Sequence, residues 1–234
     1  MWDGKKKAIT FSFDDGVTQD IRLIEILNKY HLKATFNLNS SYLGLLGEPY
    51  KTDVGDIPRP IINASQVKEV YAGHEVAVHT LTHPNLTVLS DEAVVWQVTQ
   101  DQKTLSELCG YPVVGLAYPC GGVNNNERVA AVIKENTSIR YARTITSTYT
   151  FETQKESLWR FHPTLHFLEP NTEEVVDAFL ALETDEPKLL YIWGHSYELD
   201  YNESRWVRFE ELCKKLSDKA DVFYGTNKEV LLDK

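Results

Sequence analysis

The apolar and polar residues of the chain alternate between short apolar runs and longer amphipathic stretches. The apolar runs are rich in β-branched and aromatic side chains, a composition typical of buried strands. They predict strands at Lys7–Phe13, Ala34–Leu38, Glu75–His79, Val113–Ala117, Ile139–Ile145, Leu158–Phe161, Leu189–Trp193 and Val222–Tyr224.

The amphipathic stretches repeat their apolar residues every three or four positions, which places those residues on one face of a helix. Ser90 precedes the longest stretch and is a suitable N-cap, because its hydroxyl can accept a backbone N–H of the first turn. The predicted helices are Asp20–Tyr30, Ser65–Ala72, Ser90–Leu108, Glu127–Glu135, Glu173–Leu182 and Arg205–Ser217.

The alternation of strands and helices predicts an α/β fold with a parallel sheet. About seven βα units favour a distorted (β/α) barrel of about seven parallel strands over an open sheet. The length of 234 residues suits a single domain over residues 1–234, without a repeat or linker. Within it, residues 40–62 are rich in Gly, Pro and Tyr, and we expect an irregular insertion there.

Composition narrows the possible partners. The formal net charge of −10 argues against nucleic acid or an anionic membrane and suits a neutral or cationic substrate. Three cysteines without a Cys-x-x-Cys pair indicate neither a disulfide framework nor a thiolate zinc site. Because no run has the pattern of a secretion signal or a membrane span, the expected location is the cytoplasm. The oligomeric state stays open.

Carboxylates and imidazoles stand at the ends of three predicted strands. Two adjacent carboxylates and a His-x-x-x-His pair offer ligands for one ion and a spare base, as a mononuclear metal hydrolase requires. In a βα barrel the carboxyl ends of the strands face one site, so we expect the fragments to converge. Taken singly, the first could be only a turn and the second a chance pair. The fragments are Asp14-Asp15-Gly16, His79-Thr-Leu-Thr-His83 and Gly194-His195.

A second histidine pair with the same spacing serves as a comparison. His162 and His166 flank Pro163 in a segment that we expect to be extended, which would separate the two rings by roughly 13 Å. We therefore interpret this pair as structural. His31 and His74 have no second histidine nearby in sequence, and we interpret them as ordinary surface or core residues.

The ordered set of motifs resembles the polysaccharide deacetylase family, which is carbohydrate esterase family 4 or the nodulation-deacetylase homology domain. The family's first two motifs, Thr-Phe-Asp-Asp-Gly and His-Ser/Thr-x-x-His, are matched closely, and its third and fifth more loosely. The fold that the resemblance implies is a distorted βα barrel. The matching segments are Ser12–Gly16, His79–His83, Ala117–Gly121 and Ile192–His195.

The resemblance also implies a role for each matched residue. Asp15, His79 and His83 would hold one divalent metal ion, for which zinc is the expected identity. Asp14 would be the general base that takes a proton from water, and His195 would be the general acid for the leaving amine. The ion and the backbone N–H of Cys120 would stabilise the oxyanion.

Four residues around the third and fifth motifs are candidates to contact the substrate. Aromatic rings there could pack on a sugar face or an acetyl methyl group, although ordinary core packing is about as good an interpretation. A nearby acid, Glu198, could orient His195, but a surface carboxylate is the simpler interpretation. The substrate-binding candidates are Tyr118, Pro119, Trp193 and Tyr197.

One departure from the family pattern concerns the base. Ala117 replaces the arginine that pairs with the base in the family. We hypothesise that Arg160, at the end of a predicted strand, takes over this pairing with Asp14. Arg22 and Arg143 are weaker candidates, because both lie inside predicted elements.

The resulting functional prediction is a metal-dependent hydrolase that removes N-acetyl groups from amino-sugar polymers or oligosaccharides. Within the enzyme class, the alternatives are O-deacetylation, as of acetylated xylan, and hydrolysis of a non-sugar amide. From another class, the chain could be a carbohydrate-binding relic that has lost turnover. An acetylated carbohydrate is the expected partner in each of the sugar-directed cases.

Overall fold

The computed structural model describes residues 2–232 and contains one large parallel sheet. Its strands are β1 (Lys7–Asp14), β2 (Ala34–Leu38), β5 (Glu75–Val78), β6 (Gly115–Ala117), β7 (Tyr141–Arg143), β8 (Leu165–His166), β9 (Lys188–Gly194) and β10 (Val222–Tyr224); two further strands form a separate hairpin. The order across the sheet is β7-β6-β5-β2-β1-β9-β8, and β10 pairs with the beginning of β1 on the same side as β2. Seven parallel strands thus follow one another across the sheet, which confirms the predicted number.

Helices connect the strands, and polar side chains begin several of them. Ser90 caps the longest helix as predicted, by accepting the N–H of Ala93, and Asn126 and Asn202 cap two others in the same way. The helices are α1 (Asp20–Lys29), α2 (Val67–Val70), α3 (Asp91–Cys109), α4 (Glu127–Asn136), α5 (Thr172–Ala181), α6 (Glu203–Leu216) and α7 (Asn227–Leu232).

A single connecting segment closes the sheet into a distorted barrel. Phe161 pairs with Arg143 at the free edge of β7, and a few residues later β8 pairs with β9 at the opposite edge. The Phe161 N–H donates to Ala142, and Thr144 donates back to Phe161. The segment therefore bridges the two edges of the sheet without forming one continuous strand.

This closure corrects the predicted strand Leu158–Phe161. A 3-10 helix occupies Lys155–Arg160, and only Phe161 makes a strand-like bridge. The indole of Trp159 donates to the carbonyl of Ile139, so the apolar run packs against a neighbouring connection instead of entering the sheet. The two-residue strand β8 was not predicted, because so short an element has no periodicity to detect.

The expectation of an irregular insertion at residues 40–62 is wrong. It folds into an antiparallel hairpin of β3 (Leu46–Thr52) and β4 (Gly55–Pro60). The hairpin is anchored by Ile57 and Ile61, which are buried. Gly and Pro usually interrupt strands, but they are tolerated in a short two-stranded ribbon at the edge of a fold.

The amino-terminal end of the barrel is closed by polar contacts with α7. Asn227 accepts the hydroxyl of Thr10 and donates to Ser12, and its backbone N–H donates to Thr35. Nearby, the indole N–H of Trp2 donates to the carbonyl of Val230. The first and last described elements thus lie together, opposite the carboxyl ends of the strands.

No helix within residues 2–232 combines the length and the apolar character needed to cross a bilayer.

Candidate active site

The three predicted metal ligands meet at the carboxyl ends of two strands, β1 and β5, that lie on either side of β2. Asp15 follows β1, His79 follows β5, and His83 lies in the next loop. The Nε2 atoms of both histidines are 3.6 Å from Oδ1 of Asp15. One ligand atom from each residue lies within 4.8 Å of the others.

Backbone contacts hold this group in an unusual local conformation. Asp15, Thr80 and His83 have φ values of 79°, 69° and 55°, in the left-handed region that non-glycine residues rarely adopt. The amide of Asn39 donates to the carbonyls of His79 and Thr80, which stabilises the turn between the two histidines. Strain of this kind is found mainly where side-chain direction matters.

The donor set fits a divalent ion. His79 Nδ1 lies 2.9 Å from the carbonyl of Ala117, an arrangement that fixes the ring and directs Nε2 toward Asp15. Burial and the charge of neighbouring His79 lower the pKa of His83 to about 4, so this imidazole is neutral at neutral pH. Two imidazoles and one carboxylate are ligands that zinc accepts in catalytic sites, with room for further ligands.

Asp14, the predicted base, is buried beside Asp15 but makes different contacts. The Nη2 atom of Arg143 lies 2.5 Å and 2.6 Å from its two carboxylate oxygens, and Asn37 donates to Oδ1. Burial alone would raise the pKa of Asp14, but Arg143, with His79 and His195, holds it below its ordinary value. Asp14 is therefore ionised and fixed in orientation.

The pairing with Arg143 shows that the hypothesis for Arg160 is wrong. Arg160 instead donates to Asn125 and to Glu127 at the surface. The sequence makes Arg143 the weaker candidate because the predicted strand runs to Ile145, which places Arg143 inside it. The observed β7 ends at Arg143, which places this residue at the carboxyl end of a strand, facing the site.

The predicted acid, His195, follows β9 and is oriented by Glu198. His195 Nδ1 lies 3.2 Å from Oε2 of Glu198, and its backbone N–H donates to the same oxygen at 3.0 Å. Burial lowers the pKa of His195, but the hydrogen bond and charge of Glu198, with Asp15 and Asp14, raise it to about 9. Glu198 is largely buried, so the interpretation of it as a surface carboxylate is wrong.

One cavity of about 330 Å³ joins these groups. Trp193 and Tyr197 line it, as predicted for substrate contacts, and so does Cys120, whose Sγ lies 3.4 Å from the carbonyl of His83. Tyr118 also lines the cavity, although its ring is fully buried and its hydroxyl donates to the carbonyl of Trp159. Pro119 is buried, and its contact with the substrate stays a prediction.

The hairpin adds a residue that the sequence did not indicate. Arg59, on β4, donates to Oδ2 of Asp15 at 3.2 Å and stacks over the ring of Tyr197. Asp15 thus turns Oδ1 toward the two histidines and Oδ2 toward Arg59. A second cleft of about 350 Å³ continues from this point between the hairpin and Tyr42. Because the insertion carried no motif, only the structure reveals this contact.

Comparison with known proteins identifies related sequences. The profile of the family described as polysaccharide deacetylase matches residues 2–137, more than half of the chain. A peptidoglycan-N-acetylglucosamine deacetylase of Listeria monocytogenes is 29% identical over 120 residues, 50% of this chain and 22% of that protein. A peptidoglycan-N-acetylmuramic acid deacetylase of Bacillus subtilis is 30% identical over 128 residues, 54% and 24% respectively. The chain thus spans about a quarter of the length of these relatives.

Solved structures share the fold at low sequence identity. A family 4 carbohydrate esterase from Streptomyces lividans matches with a TM-score of 0.54 and 16% identity, covering 91% of this chain and 89% of that one. A family 4 pseudoenzyme from Bacillus anthracis matches with a TM-score of 0.55 and 18% identity, covering 97% and 66%. Sequence identities of 16% and 18% support a shared barrel fold and nothing more, so the activity of this chain has to be argued from its site.

Proposed function

Since the chain belongs to the polysaccharide deacetylase family, we propose that it is a metal-dependent hydrolase that removes N-acetyl groups from amino-sugar polymers or oligosaccharides. The observation that carries the proposal is the separation of roles within one cavity. Asp15, His79 and His83 form a ligand set, while Asp14 is paired with Arg143 and remains apart from it. His195 faces the same cavity from another strand.

The chain's own residues supply the acid and base of an acyl-transfer reaction. A divalent ion held by the ligand set, for which we propose zinc, would supply Lewis acidity toward water and the substrate carbonyl. Asp14, ionised and oriented by Arg143, accepts the proton of the attacking water. The backbone N–H of Cys120 donates to the developing oxyanion. His195, protonated and held by Glu198, then gives its proton to the leaving nitrogen.

The arginine on β7 favours an enzyme over a carbohydrate-binding relic. The replacement of the family's arginine by Ala117 left the base without an evident partner in the sequence. Arg143 provides that partner with two short contacts to the carboxylate. The base, the acid and the ligand set are therefore all supported by neighbouring side chains.

An amide substrate is favoured by the condition of His195. An amine must be protonated to leave, whereas an alkoxide or phenolate with a lower pKa needs less help. The raised pKa of about 9 keeps His195 protonated at neutral pH, as an acid for an amide requires. The names of the Listeria and Bacillus relatives, which describe deacetylases of N-acetylated sugars, agree with this choice.

Acetate release from a panel of substrates tests the proposal. The panel contains acetylated chitooligosaccharides, peptidoglycan fragments, acetylated xylan and a simple N-acetyl amide, each assayed with and without chelator. We expect release from the amino sugars that chelator abolishes and added zinc restores. Release only from acetylated xylan or from the simple amide would replace the substrate assignment, and binding without any release would favour the relic.

Metal analysis provides the matched control. We expect about one divalent ion per chain, lost in His79→Ala and retained in His162→Ala, because only His79 belongs to the ligand set. Loss of the ion in His162→Ala, with retention in His79→Ala, would overturn the ligand assignment.

A further inference from the structure

A second histidine contacts Glu198 from the opposite side. We propose that His166 is a positioning residue for His195, acting through Glu198 as the outer member of a His166–Glu198–His195 chain. The inference rests on the proposed function, in which His195 protonates the leaving nitrogen. It also corrects the interpretation of His166 as a purely structural residue.

The geometry places three nitrogen atoms around one carboxylate oxygen. Oε2 of Glu198 lies 3.0 Å from Nε2 of His166, 3.2 Å from Nδ1 of His195 and 3.0 Å from the backbone nitrogen of His195. All three side chains are largely buried, and His195 lines the cavity. A carboxylate with an imidazole on each side cannot rotate away from His195 without losing the contact with His166.

The neighbours of His166 fix its tautomer. The backbone N–H of Leu168 donates to Nδ1 of His166 at 3.2 Å, so Nδ1 is an acceptor and the proton must reside on Nε2. Nε2, which carries the proton, is the atom that lies 3.0 Å from Oε2 of Glu198. The neutral ring therefore presents a polar N–H to the carboxylate and leaves its negative charge available to His195.

Packing also holds the His166 ring in place. It stacks on Phe167 and meets Trp193 edge-on, with centroid distances of 5.0 Å and 4.7 Å. Its backbone belongs to β8, which pairs with β9 just before His195. The same pair of strands thus carries both ends of the chain, which keeps their separation constant. A base or acid oriented by a third group in this way is a recurrent arrangement in hydrolases.

A second cation site is the competing explanation of the same cluster. The three side chains could present three ligand atoms within 4.8 Å of one another. We favour the positioning chain because the Leu168 contact leaves the ring proton of His166 on Nε2, the atom that an ion would need. The two explanations differ in the number of ions that the protein binds.

Two variants of His166 and one control test the proposal by leaving-group dependence. His166→Leu removes the donor, His166→Gln keeps an N–H near the position of Nε2, and His162→Gln alters the histidine outside the chain. We expect His166→Leu to lower kcat for an N-acetyl amide by about tenfold or more, with little change in KM or in the rate for an activated aryl acetate. His166→Gln should recover most of the loss, and His162→Gln should match the wild type.

Equal losses for amide and aryl acetate, or no loss for either, would overturn the proposal. A wild-type protein that releases no acetate from any substrate would instead overturn the proposed function. In that case the imidazole N–H resonances in the NMR spectrum still test the chain. His166→Leu should shift the Nδ1 proton of His195, and an unchanged resonance would contradict the inference.

The metal content separates the two explanations. We expect the wild type and His166→Leu to bind the same number of ions, about one per chain. A second ion in the wild type that is lost in His166→Leu would assign the cluster to cation binding and overturn the positioning chain.

Discussion

Arg143 and Arg160 show how position decides what a side chain can do. Arg143 is fully buried at the end of β7 and faces Asp14, whereas Arg160 reaches Glu127 at the surface. A buried carboxylate is costly unless a cation compensates for it, so the Asp14–Arg143 pair is indispensable once Asp14 is in the core. The surface pair carries no such constraint, because water already solvates both partners.

Removing Arg143 should therefore lower the stability of the fold and leave the base, Asp14, without the side chain that orients it. We expect Arg143→Met to lower the free energy of unfolding by about 3–5 kcal/mol, since it leaves a buried charge without a partner. Arg160→Met should change it by less than about 1 kcal/mol. Urea unfolding at neutral pH measures both values. The double variant Asp14→Asn/Arg143→Met should regain part of the lost free energy of unfolding, because it also removes the buried charge. If the double variant regains nothing, the effect of Arg143 comes from packing and not from charge.

The adjacent carboxylates should separate into a ligand and a base. Asp14→Asn should retain the metal ion but lower kcat by roughly 10²–10⁴, because it removes only the proton acceptor. Asp15→Asn should lose the ion itself. Metal analysis and acetate release on the same preparations distinguish the two. Near-normal turnover by Asp14→Asn would show that another group is the base.

At the scale of single elements, the sequence predicted the strands with strong apolar runs and missed those without. β9 carries a continuous apolar run, and β1 and β2 carry apolar residues at every second position, so the motifs that follow β1 and β9 could be placed correctly. The end of β7 was predicted two residues too late, at Ile145, and this error concealed Arg143. The hairpin had no reliable pattern, because Gly and Pro in an edge ribbon are compatible with either a loop or a strand.

His74 connects three elements and should make stability depend on pH. Its Nδ1 accepts the N–H of Ala34 on β2, and Nε2 lies 3.1 Å from Oδ1 of Asn28 on α1. Burial, assisted by the positive charge of Lys33, lowers the pKa of His74 to about 4. The folded protein therefore keeps this ring neutral in a pH range in which the unfolded chain protonates it.

The sign of the effect follows from that difference. The unfolded chain takes up a proton near pH 6.5, but the folded protein does so only near pH 4, so this contribution to stability is complete above pH 6.5 and is lost as the pH falls toward 4. The loss should be roughly 2–3 kcal/mol. Urea unfolding at several pH values should show a weaker dependence in His74→Asn, which retains an acceptor but does not titrate. Identical slopes would contradict the assignment.

At the scale of the whole molecule, α7 holds the amino-terminal end of the barrel together. Asn227 is fully buried and connects to β1 and β2 through Thr10, Ser12 and Thr35. These hydroxyls lie inside the barrel, where each needs a partner because water is excluded. Because this part of the interior is polar, the apolar pattern could predict the number of strands but not how the amino-terminal end of the barrel is closed.

Replacing Asn227 should test this closure. We expect Asn227→Leu to lower the free energy of unfolding by roughly 1–3 kcal/mol, because it leaves buried hydroxyl groups without hydrogen-bond partners. Lys228→Ala is the control, since its exposed side chain can be removed while its backbone N–H still reaches Glu75. Chemical unfolding compares the two variants, and equal values would show that the polar contacts below the barrel contribute nothing specific.

The contact between Trp2 and Val230 has a consequence for how the chain could be rearranged. Because these two residues lie side by side and away from the site, a short flexible linker could join Leu232 to Trp2 in a permutant built from residues 2–232. New ends could then be opened between Asp185 and Glu186, both exposed in the connection before β9. Such a circular permutant should fold and bind the same single ion, since the order in which the strands are synthesised does not alter which residues meet at their carboxyl ends.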